Sequence, residues 1–183
     1  MSSAATAAKL DANAVHVAYE LSALVHQTLA FFRRQQEDEV SAALFEAALT
    51  HVRLLDEFFA GKNKRSSSPH RLLARDWLPD WKRRRVVSRD ERREIRAHVG
   101  HLSASRDTAH EWPLHAIVDD CCRVFALFLS ELERSSPDRV PAFAAAQRAL
   151  GEWSAPSGVS HVRSTAWSTL TPPQTLKLKL PSR

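Results

Sequence analysis

Apolar residues recur along most of this chain at alternating steps of three and four, the spacing that places side chains on one face of an α-helix. The pattern predicts four long helices, over residues 13–34, 38–60 and 88–106 and from Pro113 onward, followed by a shorter Ala-rich helix over residues 138–153. Only four glycines accompany 44% hydrophobic residues, which disfavours sandwiches and barrels. We therefore predict an all-α fold, an up-and-down bundle of about four long helices plus a short fifth.

The predicted helix ends carry residues that commonly begin or end a helix. Ser88 and Glu91 have the spacing of a capping box, in which each side chain accepts a hydrogen bond from the other residue's backbone N–H. Pro113 suits the first turn of a helix, because its missing N–H would have no partner there. Gly61 suits the position directly after the second helix, because glycine, which has no Cβ, often terminates an α-helix.

Each predicted helix has an apolar stripe that we expect to face the core. The stripes are Val17, Leu21, Leu24, Thr28 and Phe31 in the first helix; Val40, Leu44, Ala47, His51, Leu54 and Phe58 in the second; Ile95, Val99 and Leu102 in the third; and Leu114, Ile117, Cys121, Phe125, Phe128 and Leu132 in the fourth. Arg53 and Asp56 are expected on the polar side of the second helix, as a solvated pair or a pair within the bundle.

The chain is long enough for one domain with a core, which we assign to residues 13–153. Residues 1–12 and 154–183 are predicted to be a disordered N-terminus and a disordered tail, because neither shows helical periodicity. The long connection over residues 61–87 has two parts. The first is basic and serine-rich, and the second, residues 74–81, carries large rings that should dock on the bundle.

Nothing in the sequence predicts export or a membrane span. The N-terminus lacks the apolar core of a signal peptide, and no run reaches the roughly 18 apolar residues that a span requires. Cys121 and Cys122 are the only cysteines and are adjacent, so they offer no disulfide framework and are expected in the core. We expect a soluble, cytoplasmic protein without a membrane partner.

One segment carries an excess of positive charge as large as the net charge of the whole chain. Residues 82–96 contain eight Lys or Arg and three Asp or Glu, which leaves eighteen of each sign in the remainder of the chain. Such a segment attracts a polyanion such as RNA, and Lys82, Arg84, Arg92 and Arg93 are the candidate phosphate-binding residues. The alternative is an arginine-rich, solvated helix start without a ligand.

Titratable side chains are densest on the third helix, where Glu94, His98, His101 and Ser105 fall on one ridge. A carboxylate beside two histidines could orient an imidazole for acid/base chemistry or present ligands to a metal. The alternative is that the histidines are half-buried and bond to a neighbouring helix. A metal held by His98, His101 and His51 is the least favoured interpretation, because the Glu-x-x-His pattern of di-iron bundles is absent. No cofactor is predicted.

His51 occupies the centre of the second helix's apolar stripe, where a leucine would be expected. A buried imidazole without a partner costs about 1–3 kcal/mol, so we expect a hydrogen bond from a facing helix. Tyr19, Glu20 and His98 are the candidate partners. His51 and Tyr19 form the predicted buried polar cluster.

The segment Arg96-Ala-His-Val-Gly-His101 resembles the Arg-x4-6-His signature of the HEPN superfamily, helical bundles of which many members are ribonucleases, often toxins or phage-defence proteins. The resemblance implies that Arg96 binds phosphate and that His101 serves proton transfer in metal-independent RNA cleavage. It also implies a homodimer that brings two signatures together. Arg93 to His98 is an alternative register with the same spacing.

A broader resemblance, over about residues 19–128, is to small uncharacterised bacterial helical proteins. It rests on the stretches Leu-Thr-His-Val-Arg-Leu-Leu-Asp-Glu-Phe-Phe59, Ala-Arg-Asp-Trp-Leu-Pro-Asp-Trp81, His-Val-Gly-His-Leu102 and Glu-Trp-Pro113. This resemblance supports the helical fold and implies no activity.

Two further functions stay open beside RNA binding and cleavage. One is a non-catalytic interaction or regulatory module, in which Trp77, Trp81 and the basic segment hold a protein partner. The other is a His-ligated metal-binding bundle. Ala97 and Ser103 stand where HEPN proteins often have a polar residue and a tyrosine, which weighs toward a non-catalytic role.

Overall fold

The computed structural model describes residues 2–34, 39–61, 72–100 and 112–154. In chain order the elements are α1 (Ser2–Arg34), α2 (Glu39–Ala60), α3 (Ala74–Trp77), α4 (Arg89–Gly100), α5 (Leu114–Ser135), a 3-10 helix (Pro137–Phe143) and α6 (Ala144–Ser154). None of the described residues forms a strand, and no helix within these ranges combines the length and apolar character needed to cross a bilayer. The predicted all-α bundle is confirmed.

The long helices pack side by side around one core. α1 packs on α2, α5 and α6, and α2 also contacts α4 and α5. The predicted stripe of α5 is buried along its whole length, from Leu114 to Leu132. On α1, Leu21, Leu24 and Thr28 are fully buried. The apolar periodicity therefore identifies the core faces of α1 and α5 correctly.

Seven buried aromatic rings, which we call the aromatic core, join distant parts of the chain. They are Phe58 and Phe59 of α2, Trp77 of α3 and Trp81 shortly after it, Phe125 and Phe128 of α5, and Phe143 of the 3-10 helix. Centroid distances between contacting rings run from 4.9 Å for Phe58 and Phe59 to 6.2 Å for Phe125 and Phe143. Most contacts are edge to face, the arrangement that aromatic quadrupoles favour. Residues 74–81 are thus docked on the bundle, as predicted.

The predicted core face of α2 is wrong at several positions. Val40 and Leu54 are 48% and 36% exposed, whereas Phe45, Val52 and Asp56 are buried. α2 carries two interleaved apolar stripes, and its packing between α1, α4 and α5 buries the stripe that contains Phe45 and Val52. Asp56, expected on the polar side, lies on this buried face.

Two helix boundaries differ from the predictions. α1 begins at Ser2, so residues 2–12, which are predicted to be disordered because they lack helical periodicity, continue the helix. This start is rich in alanine, the residue with the highest helix propensity. The predicted helix over residues 138–153 divides into the 3-10 helix and α6, because Pro141 lacks the N–H of an α-helix and restricts the residue before it.

Cys121 and Cys122 are buried free thiols, as predicted. Burial raises the pKa of the Cys121 thiol well above its usual range and the pKa of Cys122 to about 12. Both thiols therefore stay protonated at neutral pH and pack as small hydrophobic side chains.

Several predictions concern residues outside the described ranges. These are the tail beyond Ser154, the basic, serine-rich part of the connection over residues 62–71, and the continuation of the third predicted helix beyond Gly100, with His101, Leu102 and Ser105.

Candidate nucleic-acid interface

A row of exposed cations runs from the segment before α4 onto α4 itself. Its members, which we call the basic surface, are Lys82, Arg83, Arg84, Arg85, Arg89, Arg93 and Arg96. Together they contain all but one of the eight cations that the sequence places between residues 82 and 96. The exception is Arg92.

Buried residues on both sides hold the exposed run over residues 82–85 in place. Trp81 precedes the run within the aromatic core, and the buried Val86 follows it. The indole N–H of Trp81 donates to the carbonyl oxygen of Phe59 (3.1 Å), and the backbone N–H of Val86 donates to the Asp56 carboxylate (3.3 Å). Both acceptors belong to α2, so the run is attached to a single helix at both ends.

Lys82 and Arg84, two of the predicted phosphate-binding residues, are exposed. The guanidinium carbon of Arg84 lies 5.7 Å from the centroid of the Trp81 ring. This is a cation–π contact, which restricts the motion of the arginine side chain while the side chain stays charged. The backbone N–H of Arg84 also points at the Phe59 carbonyl oxygen, at 3.4 Å. These cations therefore extend from a fixed backbone.

The capping box predicted at the start of α4 is present. The Ser88 N–H donates to the Glu91 carboxylate (2.7 Å), and the Glu91 N–H donates to the Ser88 hydroxyl (3.1 Å). Glu94, a candidate catalytic residue, lies 3.4 Å from the exposed Arg93. Two of the three carboxylates in the segment are thus engaged locally, by the cap and by one ion pair, and Asp90 is exposed.

Arg92 is half-buried and pairs with Asp56, unlike the seven exposed cations, and its binding of phosphate stays a prediction. Its Nη2 atom lies 2.6 Å from Oδ2 of Asp56, and the two side chains are 20% and 5% exposed. This is an ion contact outside hydrogen-bond geometry, because Nε and Nη2 of Arg92 find no hydrogen-bond partner among the described residues. Burial raises the pKa of Asp56 above its ordinary value, although the Arg92 charge and the Val86 N–H oppose the shift.

A small cleft beside this ion pair is lined partly by Arg53, Glu57, Ile95 and Arg96. Arg53 pairs within α2, with its Nε atom 3.7 Å from Oε1 of Glu57, and the Asp56 charge is met by Arg92 instead. The cleft has room for about one water molecule. A ligand larger than water cannot enter this cleft and would lie along the surface beside it.

The fold gives Arg96 and His98 different surroundings. Arg96 is exposed, whereas His98 is partly buried between Phe45 and Trp112, with both ring centroids 6.0 Å from its own. This agrees with the alternative in which the histidine is half-buried against a neighbouring helix. His101, the other half of the HEPN-like motif, lies outside the described residues.

His51 has the hydrogen-bond partner that its position in the apolar stripe requires. Its Nδ1 atom lies 2.6 Å from Oε2 of Glu20, one of the three predicted partners. The Tyr19 ring stands edge-on to the imidazole at 5.9 Å but is 58% exposed, so the buried polar pair is His51 with Glu20. Within the described ranges, no three His, Cys, Asp or Glu side chains are grouped as a metal site would require.

Sequence reasoning did not select Asp56 or Trp112 as site residues. Asp56 had a usable signal, since it stands four residues after Val52 and three before Phe59, inside an apolar stripe. A carboxylate at such a position requires a partner. Trp112 had no such signal, because its ring contacts with Phe45 and His98 join parts of the chain that are distant in the sequence.

Comparison of the chain with models of known protein families, with curated proteins and with solved structures gives no match in any of the three. The HEPN-like motif at Arg96 therefore stays a prediction from the sequence.

Proposed function

We propose that this protein binds RNA through the basic surface. The observation that supports the proposal is that seven cations are exposed along one short stretch and that buried contacts to α2, through Trp81 and Val86, hold the first four of them, residues 82–85, in place. Residues 82–96 carry five more cations than anions, an excess equal to the net charge of the whole chain.

The chemistry of the basic surface suits a phosphodiester backbone. Six of its seven members are arginines, whose guanidinium groups donate two parallel hydrogen bonds to a phosphate and keep their charge at all physiological pH values. Because the adjacent cleft is small, contacts would run along the phosphates, which position a nucleic acid without reading its sequence.

The HEPN-like motif extends the proposal to metal-independent cleavage of the bound RNA, in a toxin or defence role. Arg96 belongs to the basic surface, and by the resemblance it would hold a phosphate while His101 serves proton transfer. The homodimer implied by the same resemblance would carry two basic surfaces, one on each subunit.

Binding is tested by fluorescence anisotropy with a labelled RNA stem-loop that has single-stranded tails, at increasing potassium chloride. We expect Arg93→Gln combined with Arg96→Gln to weaken binding about tenfold and to lower the salt dependence by one to two counterions, roughly one for each phosphate that is no longer neutralised. The matched control, Arg123→Gln with Arg148→Gln, removes the same charge from exposed positions on α5 and α6 and should change binding little.

Two results would contradict the proposal: no salt-dependent binding by the folded protein, or equal weakening by both pairs of substitutions. The same samples, incubated with RNA and EDTA, test cleavage. RNA degradation that disappears in both Arg96→Ala and His101→Ala would extend binding to catalysis. Intact RNA with normal binding would leave a non-catalytic RNA-binding module.

A further inference from the structure

We propose that the end of the bundle beside the basic surface stacks unpaired nucleobases, so that the ligand is single-stranded RNA. This inference rests on the proposed RNA binding and adds the class of RNA. It depends on a second set of aromatic rings, separate from the aromatic core.

The second set, which we call the aromatic end, lies where α1 ends, α2 begins, α4 ends and α5 begins. Its members are Phe31, Phe32, Phe45, His98, Trp112 and His115. Phe45 is buried and contacts three of the others, with centroids 5.8 Å from Phe31, 6.0 Å from His98 and 5.9 Å from Trp112. Phe32 then continues the set to His115, at 6.2 Å.

The aromatic end differs from the aromatic core in its exposure. Every ring of the core is buried, whereas Phe31, Phe32, His98 and Trp112 are partly exposed and His115 is exposed. Rings that serve only to fill a core would be covered. A cluster that rests on one buried ring and reaches solvent can accept a flat ligand by stacking.

Cations border the aromatic end on two helices. Arg33 and Arg34 are exposed and directly follow Phe32 at the end of α1. Arg96 of the basic surface precedes His98 by two residues on α4 and points to the other side of that helix, because residues two apart differ in direction by about 160°. Proteins that bind single strands combine a cationic track for the backbone with aromatic rings for successive bases. A strand whose phosphates follow the basic surface along α4 would pass over the end of that helix to bring its bases to these rings.

The test compares three oligomers of equal length on the full chain by anisotropy: single-stranded RNA, an abasic strand with the same backbone, and a duplex. Stacking on one ring typically changes affinity by about tenfold, so the single strand should bind about tenfold more tightly than the abasic strand and more tightly than the duplex. Trp112→Ala should lose that advantage on the single strand and bind the abasic strand unchanged. Trp112→Phe should retain most of it.

The control is Tyr19→Ala, which removes an exposed ring from α1 about 18 Å from its aromatic end and should leave all three affinities unchanged. Equal binding of single and abasic strands, or tighter binding of the duplex, would overturn base stacking and leave the basic surface standing. An undiminished preference for the single strand in folded Trp112→Ala would overturn the location. Absence of binding to all three would overturn both proposals. If Trp112→Ala does not fold, the comparison of oligomers on the unaltered protein decides.

Discussion

Trp77 and Trp81 come from one short segment, are both buried, and differ in a single hydrogen bond. The indole N–H of Trp81 donates to the Phe59 carbonyl oxygen. The indole N–H of Trp77 is buried without a hydrogen-bond partner among the described residues. Trp77 therefore contributes through its ring contacts alone, whereas Trp81 also satisfies a carbonyl group at the end of α2.

This difference predicts unequal effects of the same substitution. Both Trp77→Phe and Trp81→Phe lose part of a buried ring, but only Trp81→Phe also removes a donor from a buried carbonyl oxygen. We expect Trp81→Phe to lower the free energy of unfolding by about 1 kcal/mol more than Trp77→Phe. Urea denaturation of the two variants measures the difference, and equal losses would show that the hydrogen bond contributes nothing.

The ion pair between Asp56 and Arg92 predicts a pH-dependent loss of stability. Because the pKa of Asp56 is raised above 3.8, its contribution to stability is fully present below pH 3.8 and is lost as the pH rises through the raised value. Arg92→Met leaves the Asp56 charge buried without its partner and raises that pKa further. We expect a loss of about 3 kcal/mol at pH 8 and a smaller loss at pH 5.

Thermal denaturation at both pH values measures this, with the neighbouring Arg93→Met as the control. Arg93 is largely exposed, so its substitution should change stability by less than about 0.5 kcal/mol at either pH. An equal loss at pH 5 and pH 8 for Arg92→Met would mean that lost packing of the arginine stem, and not the unpaired Asp56 charge, determines the effect.

For single residues, the sequence predicts that a buried polar side chain requires a partner more readily than it predicts which residue that partner is. His51 in an apolar stripe requires a hydrogen-bond partner, and Glu20, one of its three predicted partners, accepts that bond. The sequence places Asp56 on the polar side of its helix, with Arg53 as its expected partner, and Arg92 among the phosphate-binding candidates, because either side chain alone suits a polar helix face. Their pairing becomes visible only when α4 lies against α2.

Among the elements, α4 depends most on its first residues. It is short, and its sequence is strongly polar, so little of its stability comes from burial. Its capping box satisfies two backbone N–H groups that would otherwise lack partners.

Ser88→Ala should therefore cost about 1 kcal/mol in the free energy of unfolding, the usual effect of losing an N-cap hydroxyl. Ser130→Ala is the matched control, because Ser130 is exposed in the interior of α5, where alanine favours the helix. Chemical denaturation should show a loss in the first variant and none in the second. Indistinguishable curves would indicate that the cap does not limit stability.

Helix existence and most helix ends could be predicted from periodicity and capping residues. The core face of α2 could not, because two apolar stripes of similar quality share that helix and only its neighbours decide between Val52 and Leu54. The 3-10 helix at Pro137 also needed the structure, since the alanines that follow Pro141 favour an α-helix over the whole range.

For the molecule as a whole, the sequence shows where the cations are concentrated, and the fold determines which of them face solvent. The sequence identified residues 82–96 as the basic segment, yet it could not show that Arg92 turns inward while Arg93 and Arg96 face solvent. That division depends on Asp56, which belongs to another helix. The aromatic end was equally hidden, because its rings come from four elements that are distant in the sequence.

The attachment of residues 82–85 to α2 at both ends also bears on how fast a ligand can associate. A mobile basic loop must lose conformational freedom when it binds, and that ordering opposes association. Here the Trp81 and Val86 contacts have already fixed the backbone during folding. An approaching polyanion meets cations that are held in place, so encounter should be governed by diffusion and long-range attraction, without a loop-ordering step to slow it.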